Sequence, residues 1–153
     1  LSVFVDAKFE GEIYSATNQV GTRYGLSEIT LPGREGGVAV TGRDINGNAV
    51  NTTISAYDYW RSYSDVTSNF VYDADFVKLR AISFGYNFPK SYIKNTPFQS
   101  ISLAFSAHNL WTIYDKVPNI DPESNYSNSN AQGLERASMP LTRNYGFTLN
   151  VKF

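Results

Sequence analysis

The chain has 153 residues, a net charge of −1 and no cysteine. That length allows one domain with its own core, the charge balance lacks the clustered Lys and Arg that a nucleic-acid partner requires, and the absence of thiols excludes a disulfide framework, thiol catalysis and Cys-ligated metals. Aromatic residues make up 15%, nearly all Tyr and Phe, and Leu-, Ala- and Glu-rich helical stretches are missing, a mixture that favours strands.

The opening "LSVFVDAKFEGE" lacks the charged head and long apolar run of a signal peptide. No run approaches the roughly 20 apolar residues of a membrane helix. A first strand is expected near residues 2–9, where Val3, Val5, Ala7 and Phe9 share one face at the period of two that marks a half-buried strand. About 60 residues then precede the region of Val71, whereas compact domains favour connections near five residues. Within that span, Asn46-Gly47 lies between Val- and Thr-rich arms and predicts a hairpin whose two turn residues both take positive φ. "SAYDYWRSYS" predicts two helical turns with Ser55 as N-cap, although Tyr, Trp and Ser are mediocre helix formers. "DINGN" opens like a calcium loop, but Ala49 stands where the sharp-turn glycine belongs and Ser55 where the bidentate glutamate belongs, so the hairpin is preferred.

Asp73 and Asp75 in "YDAD" point the same way on a strand, as paired carboxylates do; solvated charges at a loop edge are the preferred reading. A second strand near 75–88 sets Ile82, Phe84, Tyr86 and Phe88 against Ala81, Ser83, Gly85 and Asn87. A short turn near 89–99 leads to a third strand near 100–112, with Ile101, Leu103, Phe105 and Ala107 opposite Ser102, Ala104, Ser106 and His108. A long connection near 114–140, polar at "NYSNSNAQG", precedes the last strand near 142–153. There Tyr145, Phe147, Leu149, Val151 and Phe153 alternate with Gly146, Thr148, Asn150 and Lys152. Ten consecutive residues matching that alternation arise by chance about once in a thousand at a given place.

Four strands with one apolar face cannot bury it alone, and they leave two unpaired edges. The faces opposite are dominated by Ser, Asn, Ala, Gly, Thr and Lys, as in a wet lumen rather than a second packed sheet. Tyr86 and Phe88, Trp111 and Tyr114 after the third strand, and Phe153 gather near strand ends, as in interfacial girdles. Both long connections fall at one end and the short turn at the other, the asymmetry of outer-membrane barrels. The expected fold is all-β: an antiparallel transmembrane β-barrel segment with long extracellular loops near 10–70 and 114–140 and a short periplasmic turn.

"FVKLRAISFGYNFPKSYI", followed by "ISLAFSAHNLWTIYDKVPNIDPE" and ending "TRNYGFTLNVKF", resembles the C-terminal end of SusC/RagA-type TonB-linked outer-membrane transporters of Bacteroidetes. The features are similar to that family's "LR-I-GY-P" strand and turn, its "NL-T" strand leading into "D-P-E", and its Gly-containing final strand ending in Phe. Residues from Asp75 to Phe153 carry the resemblance, and "FEGEIYSAT" is similar to a looser family pattern. The resemblance implies the last four strands of a barrel of about 22 with a plugged lumen. It also implies a C-terminal fragment without the plug domain, which cannot transport alone. The expected whole is an energy-dependent importer of glycan fragments or oligopeptides in the outer membrane of a Gram-negative cell. Its implied partners are the rest of the barrel and its plug, a SusD-like surface lipoprotein, TonB, the barrel-assembly machinery and outer-membrane lipid. Tyr145, Gly146, Phe147, Leu149, Val151 and Phe153 resemble the terminal signal that the assembly machinery reads.

His108 is the sole histidine, which rules out a His-pair metal site within the chain. Parity sets it beside Ser106 on the presumed lumen face, where a polar wall residue is favoured over a base. No catalytic residue, metal or cofactor is expected. Tyr57, Tyr59, Trp60 and Tyr126 are the candidate substrate contacts, because aromatic faces among Asn and Asp suit sugars and peptides; packing of loop against loop is the plainer reading. Two sequons, Asn51-Thr52-Thr53 and Asn125-Tyr126-Ser127, are irrelevant in a bacterial host. The alternatives are a soluble or surface β-sandwich that binds carbohydrate, and a small hydrolase using His108 with Asp75 or Asp115.

Overall fold

The structure, a computed structural model, describes residues 1–124 and 130–153. In chain order the elements are β1 (Ser2–Lys8), β2 (Glu12–Ser15), α1 (Ala16–Arg23), β3 (Val38–Arg43), β4 (Ala49–Ile54), α2 (Ala56–Ser64), β5 (Val71–Asp73), β6 (Phe76–Asn87), α3 (Lys90–Ile93), β7 (Ser100–Asp115), β8 (Leu134–Glu135) and β9 (Asn144–Lys152). Strands dominate and the few helices are short; none among the described residues is long and apolar enough to cross a membrane, which says nothing of crossing by strands. The chain forms two compact units: a sheet unit of Leu1–Gly11, Ala74–Lys116 and Pro140–Phe153, and a loop unit of Glu12–Asp73 and Val117–Met139.

The sheet unit is a four-stranded antiparallel sheet in the order β1-β6-β7-β9. Residues directly opposed on antiparallel strands share a face, so the register reads as rows. Val3–Ile82–Ala107–Tyr145, Phe84–Phe105–Phe147, Tyr86–Leu103–Leu149 and Ile101–Val151 make an apolar face. Ser83–Ser106–Gly146, Gly85–Ala104–Thr148 and Asn87–Ser102–Asn150 make a polar one. At Gly146 a Cβ would lie 2.9 Å from Ser106 Oγ, so this row closes on a residue without a side chain.

The ladder becomes irregular beyond Ala81. The β6–β7 register shifts between Leu79 and Ala81, Asn109 takes φ 53°, and the β1–β6 register shifts between Phe4 and Val5. The bulge reverses the parity of β6, so Leu79, opposite Val5 and Trp111, continues the apolar face that Ile82 occupies further along. Arg80 instead joins Phe76: its guanidinium carbon lies 5.6 Å from that ring's centre, and its Nε and Nη2 donate to Asp6 Oδ2 at 3.1 and 2.9 Å. β7 runs on to Asp115, so Trp111 and Tyr114 lie within the strand and not after it, as the sequence had implied. The connection between β6 and β7 holds the short helix α3.

In the loop unit, β2 pairs antiparallel with β5 and parallel with β8. Among the described residues, Ile13, Phe70 and Val117 are its buried apolar side chains, and the other buried ones, Ser15, Asn18, Thr22, Thr30, Ser64 and Glu135, are polar. Ser15 caps α1 by accepting the Asn18 N–H, and its hydroxyl donates to Glu135 Oε2 at 2.7 Å. Thr17 adds its hydroxyl to Oε1 at 2.6 Å and its N–H to Oε2, and Ser138 N–H donates to Oε1 at 3.1 Å. Glu135 is 1% exposed. Burial pushes its carboxyl up, but the hydrogen bonds from Thr17, Ser138 and Ser15 outweigh that and hold it below its ordinary value. Gln19 Nε2 donates to Ser64 O at the end of α2, and Asn18 Nδ2 to Pro118 O, which ties α1 to its neighbours.

The hairpin is β3–β4, but its turn differs from the expectation. Arg43 pairs with Ala49, Asp44 N–H donates to Asn48 O, and only Gly47 of the loop has positive φ, at 85°. A three-residue loop replaces the two-residue turn because the Asp44 carboxylate accepts from Asn46 N–H, Asn48 N–H and Asn48 Nδ2. Those bonds, the one from the Asn48 side chain foremost, hold Asp44 below its ordinary value.

Glu135→Ala in the intact protein leaves two hydroxyls and two N–H groups without their acceptor and is expected to cost the loop unit about 3 kcal/mol, read as faster hydrogen exchange of the α1 amides. In the parent protein the carboxylate's contribution is complete above its ordinary value of 4.5 and is lost as pH falls through the lowered folded value. Exchange protection of α1 therefore drops in that acid window in the parent and stays flat there in the variant.

Candidate functional site

Three surfaces carry the chemistry. The first is the apolar sheet face, whose large side chains stand bare: Phe147 is 75%, Leu149 62% and Tyr145 62% exposed. Lateral contacts do form, as between the rings of Phe105 and Phe147 at 5.0 Å. Trp111 and Tyr114 sit at one end of this face; Tyr86 and Phe88, whose rings meet edge-on at 5.1 Å, lie toward the other, where Phe153 ends the chain. Of the six residues read as a terminal signal, Tyr145, Phe147, Leu149 and Val151 occupy successive apolar rows, while Gly146 lies on the polar side.

The polar face is the second surface. Ser106 faces Ser83 and Gly146, and His108 faces Ala81 and Asn144. Asp115 lies seven residues further along β7, about 24 Å at the usual strand rise. Asp75 is committed elsewhere: its Oδ2 lies 2.7 Å from Lys116 Nζ and its Oδ1 accepts the Glu10 N–H at 2.8 Å. The Lys116 hydrogen bond, with that from Glu10, holds the Asp75 carboxyl below its ordinary value. Neither carboxylate orients the imidazole, so the geometry does not assemble a triad around His108. It also corrects the reading of Asp75 as a solvated edge charge: Asp75 latches the place where β1 ends, β6 begins and β7 ends. Asp73 pairs opposite Glu12 in the β2–β5 ladder, in the other unit.

The third surface belongs to the loop unit. α2 begins at Ser55, which accepts the Asp58 N–H at 3.1 Å. Its aromatics divide into two kinds. Tyr59 and Trp60 are half-buried in a cluster with Tyr63 and Phe70, with ring centres 4.9 Å (Tyr59–Trp60), 5.5 Å (Trp60–Tyr63) and 5.9 Å (Tyr63–Phe70) apart. The buried Trp60 Nε1 has no acceptor among the described residues. Tyr57 is exposed, stacks under Arg61 and accepts from its Nη1 at 3.0 Å. Tyr126 and the sequon around it lie outside the described residues. A separate groove of 580 Å³ is lined by residues including Thr17, Val20, Leu26, Asn119 and Arg136, and Tyr57, Tyr59 and Trp60 are not among its described lining residues. Sequence reading missed this groove because its lining comes from segments more than a hundred residues apart. No set of three His, Asp or Glu side chains among the described residues is placed to hold a metal.

Trp60→Ala is expected to open the ring cluster and cost the loop unit about 3–5 kcal/mol, whereas Tyr57→Ala changes its stability by less than about 0.5 kcal/mol. Hydrogen exchange across α2 in the two variants reads the difference.

No family profile matches the chain. Over 94 residues it is 43% identical to a protein from Formosa agariphila, a member of the Bacteroidetes, described as TonB-dependent receptor P3. The match takes in 58% of this chain and 9% of that protein, so the chain spans a small part of its relative's length. Across the matched residues, this chain is related to a segment of a TonB-dependent receptor.

Proposed function

We propose that the intact protein is an outer-membrane importer of the SusC/RagA kind, and that the sheet unit is four adjoining strands of its transmembrane barrel of about 22. The observation that carries this is the bare apolar face, continuous across all four strands and ending in two unpaired edges. From the Tyr86–Leu103 row to the Val77–Tyr114 row is about nine residues of β6, or roughly 30 Å of strand, which a tilt of about 40° reduces to roughly 23 Å. The apolar band of outer-membrane barrels is about 25 Å tall. Aromatic residues stand near both ends of the band, as interfacial girdles do. The polar rows with Ser106 and His108 then line the lumen.

In this reading the cargo is a glycan fragment or oligopeptide too large to diffuse through a pore. TonB acts through a plug domain, a SusD-like lipoprotein closes the outer mouth, and the assembly machinery reads the C-terminal strand. The resemblance in sequence supports these partners, and the relative's name supports TonB-dependent import. Tyr57, exposed and braced by Arg61, is better presented for contact with cargo than Tyr59 and Trp60, which are half-buried.

Charge placed on opposite faces tests the wall directly. Ile82→Arg, in the row midway between the two ends of the band, puts a cation into lipid at a cost of about 2–4 kcal/mol near the midplane, so the heat-resistant form in outer-membrane fractions falls several-fold, while Thr148→Arg, facing water in the lumen, assembles normally. Equal tolerance of the two would overturn the wall assignment. Recovery of the intact parent protein as a folded monomer in the aqueous fraction would favour the soluble sandwich instead.

A further inference from the structure

The connection between β6 and β7 is an ordered device and not a slack turn. Ile93, the last residue of α3, is buried, and its carbonyl accepts both the Thr96 N–H at 3.0 Å and the Thr96 hydroxyl at 2.7 Å. Thr96 Oγ1 in turn accepts the Phe98 N–H at 3.5 Å, and Pro97 between them has its φ fixed by the ring. Gln99 N–H then donates to Lys152 O at 2.6 Å, which carries the β7–β9 ladder one rung beyond the Ser100–Lys152 pair. The result is that the half-buried Phe98 ring stands 5.4 Å from the ring of Phe153, with their planes 58° apart.

The neighbouring strand holds Phe153 from the side. Phe153 is still 75% exposed, so one flank of its ring is fixed while the rest is presented outward. A side chain that must be recognised by another protein binds more tightly when its bound conformation is set in advance, because less freedom is lost on docking.

We propose that Phe98 is a positioning residue for the Phe153 ring, so that the recognised signal is an epitope of two segments, Phe98 with Phe153, and not β9 alone. This rests on the reading of β9 as the signal for the barrel-assembly machinery. Phe98 acts through Phe153: it lowers the freedom of that ring, and loss of an aromatic contact of this kind slows a step that depends on it by about three- to tenfold.

The test is pulse-labelling of the intact protein in cells, following the appearance of its heat-resistant form in the outer membrane for Phe98→Ala, Phe98→Tyr, Phe153→Ala and the Phe98→Ala/Phe153→Ala pair. Phe98→Ala is expected to slow assembly three- to tenfold, Phe98→Tyr to restore it, and the pair to assemble no more slowly than Phe153→Ala alone. The Phe98→Ala barrel that does assemble should keep the parent's thermal midpoint to within a few degrees, which a purely structural role for Phe98 would not allow. Normal assembly of Phe98→Ala beside slow assembly of Phe153→Ala would overturn the proposal, as would multiplied effects in the pair or a lowered thermal midpoint. Normal assembly of Phe153→Ala would instead overturn the signal reading beneath it, and the proposal with it.

Discussion

Everything in the sheet unit depends on one constraint: an apolar face that nothing in the unit covers. A buried Val, Leu, Ile or Phe side chain is stabilised by about 1.5–3 kcal/mol relative to its exposed state, and here Phe147 and Leu149 forgo most of that stabilisation in water and Phe84 and Leu103 forgo part of it. A solvent other than water on that side removes the deficit. The constraint also explains the bulge. Without the extra residue at Arg80, the period of two would have turned a guanidinium onto the oily side and Leu79 off it; with it, Arg80 reaches Asp6 and the apolar rows continue to Trp111. The same rows require hydrogen-bonding partners at both sheet edges, since β1 and β9 each offer one unpaired side.

The loop unit solves a different problem by different means. Its connecting segments are long, yet lengthening a loop raises its closure entropy only slowly, and what keeps this unit ordered is a satisfied polar interior. Glu135, far along the chain, supplies the acceptors that the start of α1 needs, so the helix and the returning segment are each incomplete without the other. That interdependence leaves the aromatics of α2 in unequal positions. Trp60 and Tyr59 hold the helix to its neighbours through the ring cluster, while Tyr57, on the outer side with Arg61, is left available. The same residue types in one short stretch thus serve as core and as surface.

The strands were legible because parity is a local property. Tyr145 to Phe153 alternates without error, and the observed rows place Tyr145, Phe147, Leu149 and Val151 where two-residue periodicity sets them. Ser55 was readable as a cap for the same reason, since the N-cap bond to Asp58 spans only three residues. α1 was not readable. Its buried residues are Asn18 and Thr22, so its inward face is polar and leaves no apolar period to detect. β2, β5 and β8 are two to four residues long, too short for any period to register. The Arg80 bulge was hidden as well, because alternation read along one strand assumes a regular partner.

What the sequence determined by itself was which side chains share a face and where strands and caps begin, since these follow from backbone geometry within a few residues. Tertiary structure alone decided the partners: which rows line up across β1, β6, β7 and β9, that Asp75 belongs to Lys116 and not to His108, that Glu135 completes α1, and that Phe98 meets Phe153. Those pairings join residues tens to more than a hundred positions apart, and no local preference along the chain encodes a meeting that only the closed fold brings about.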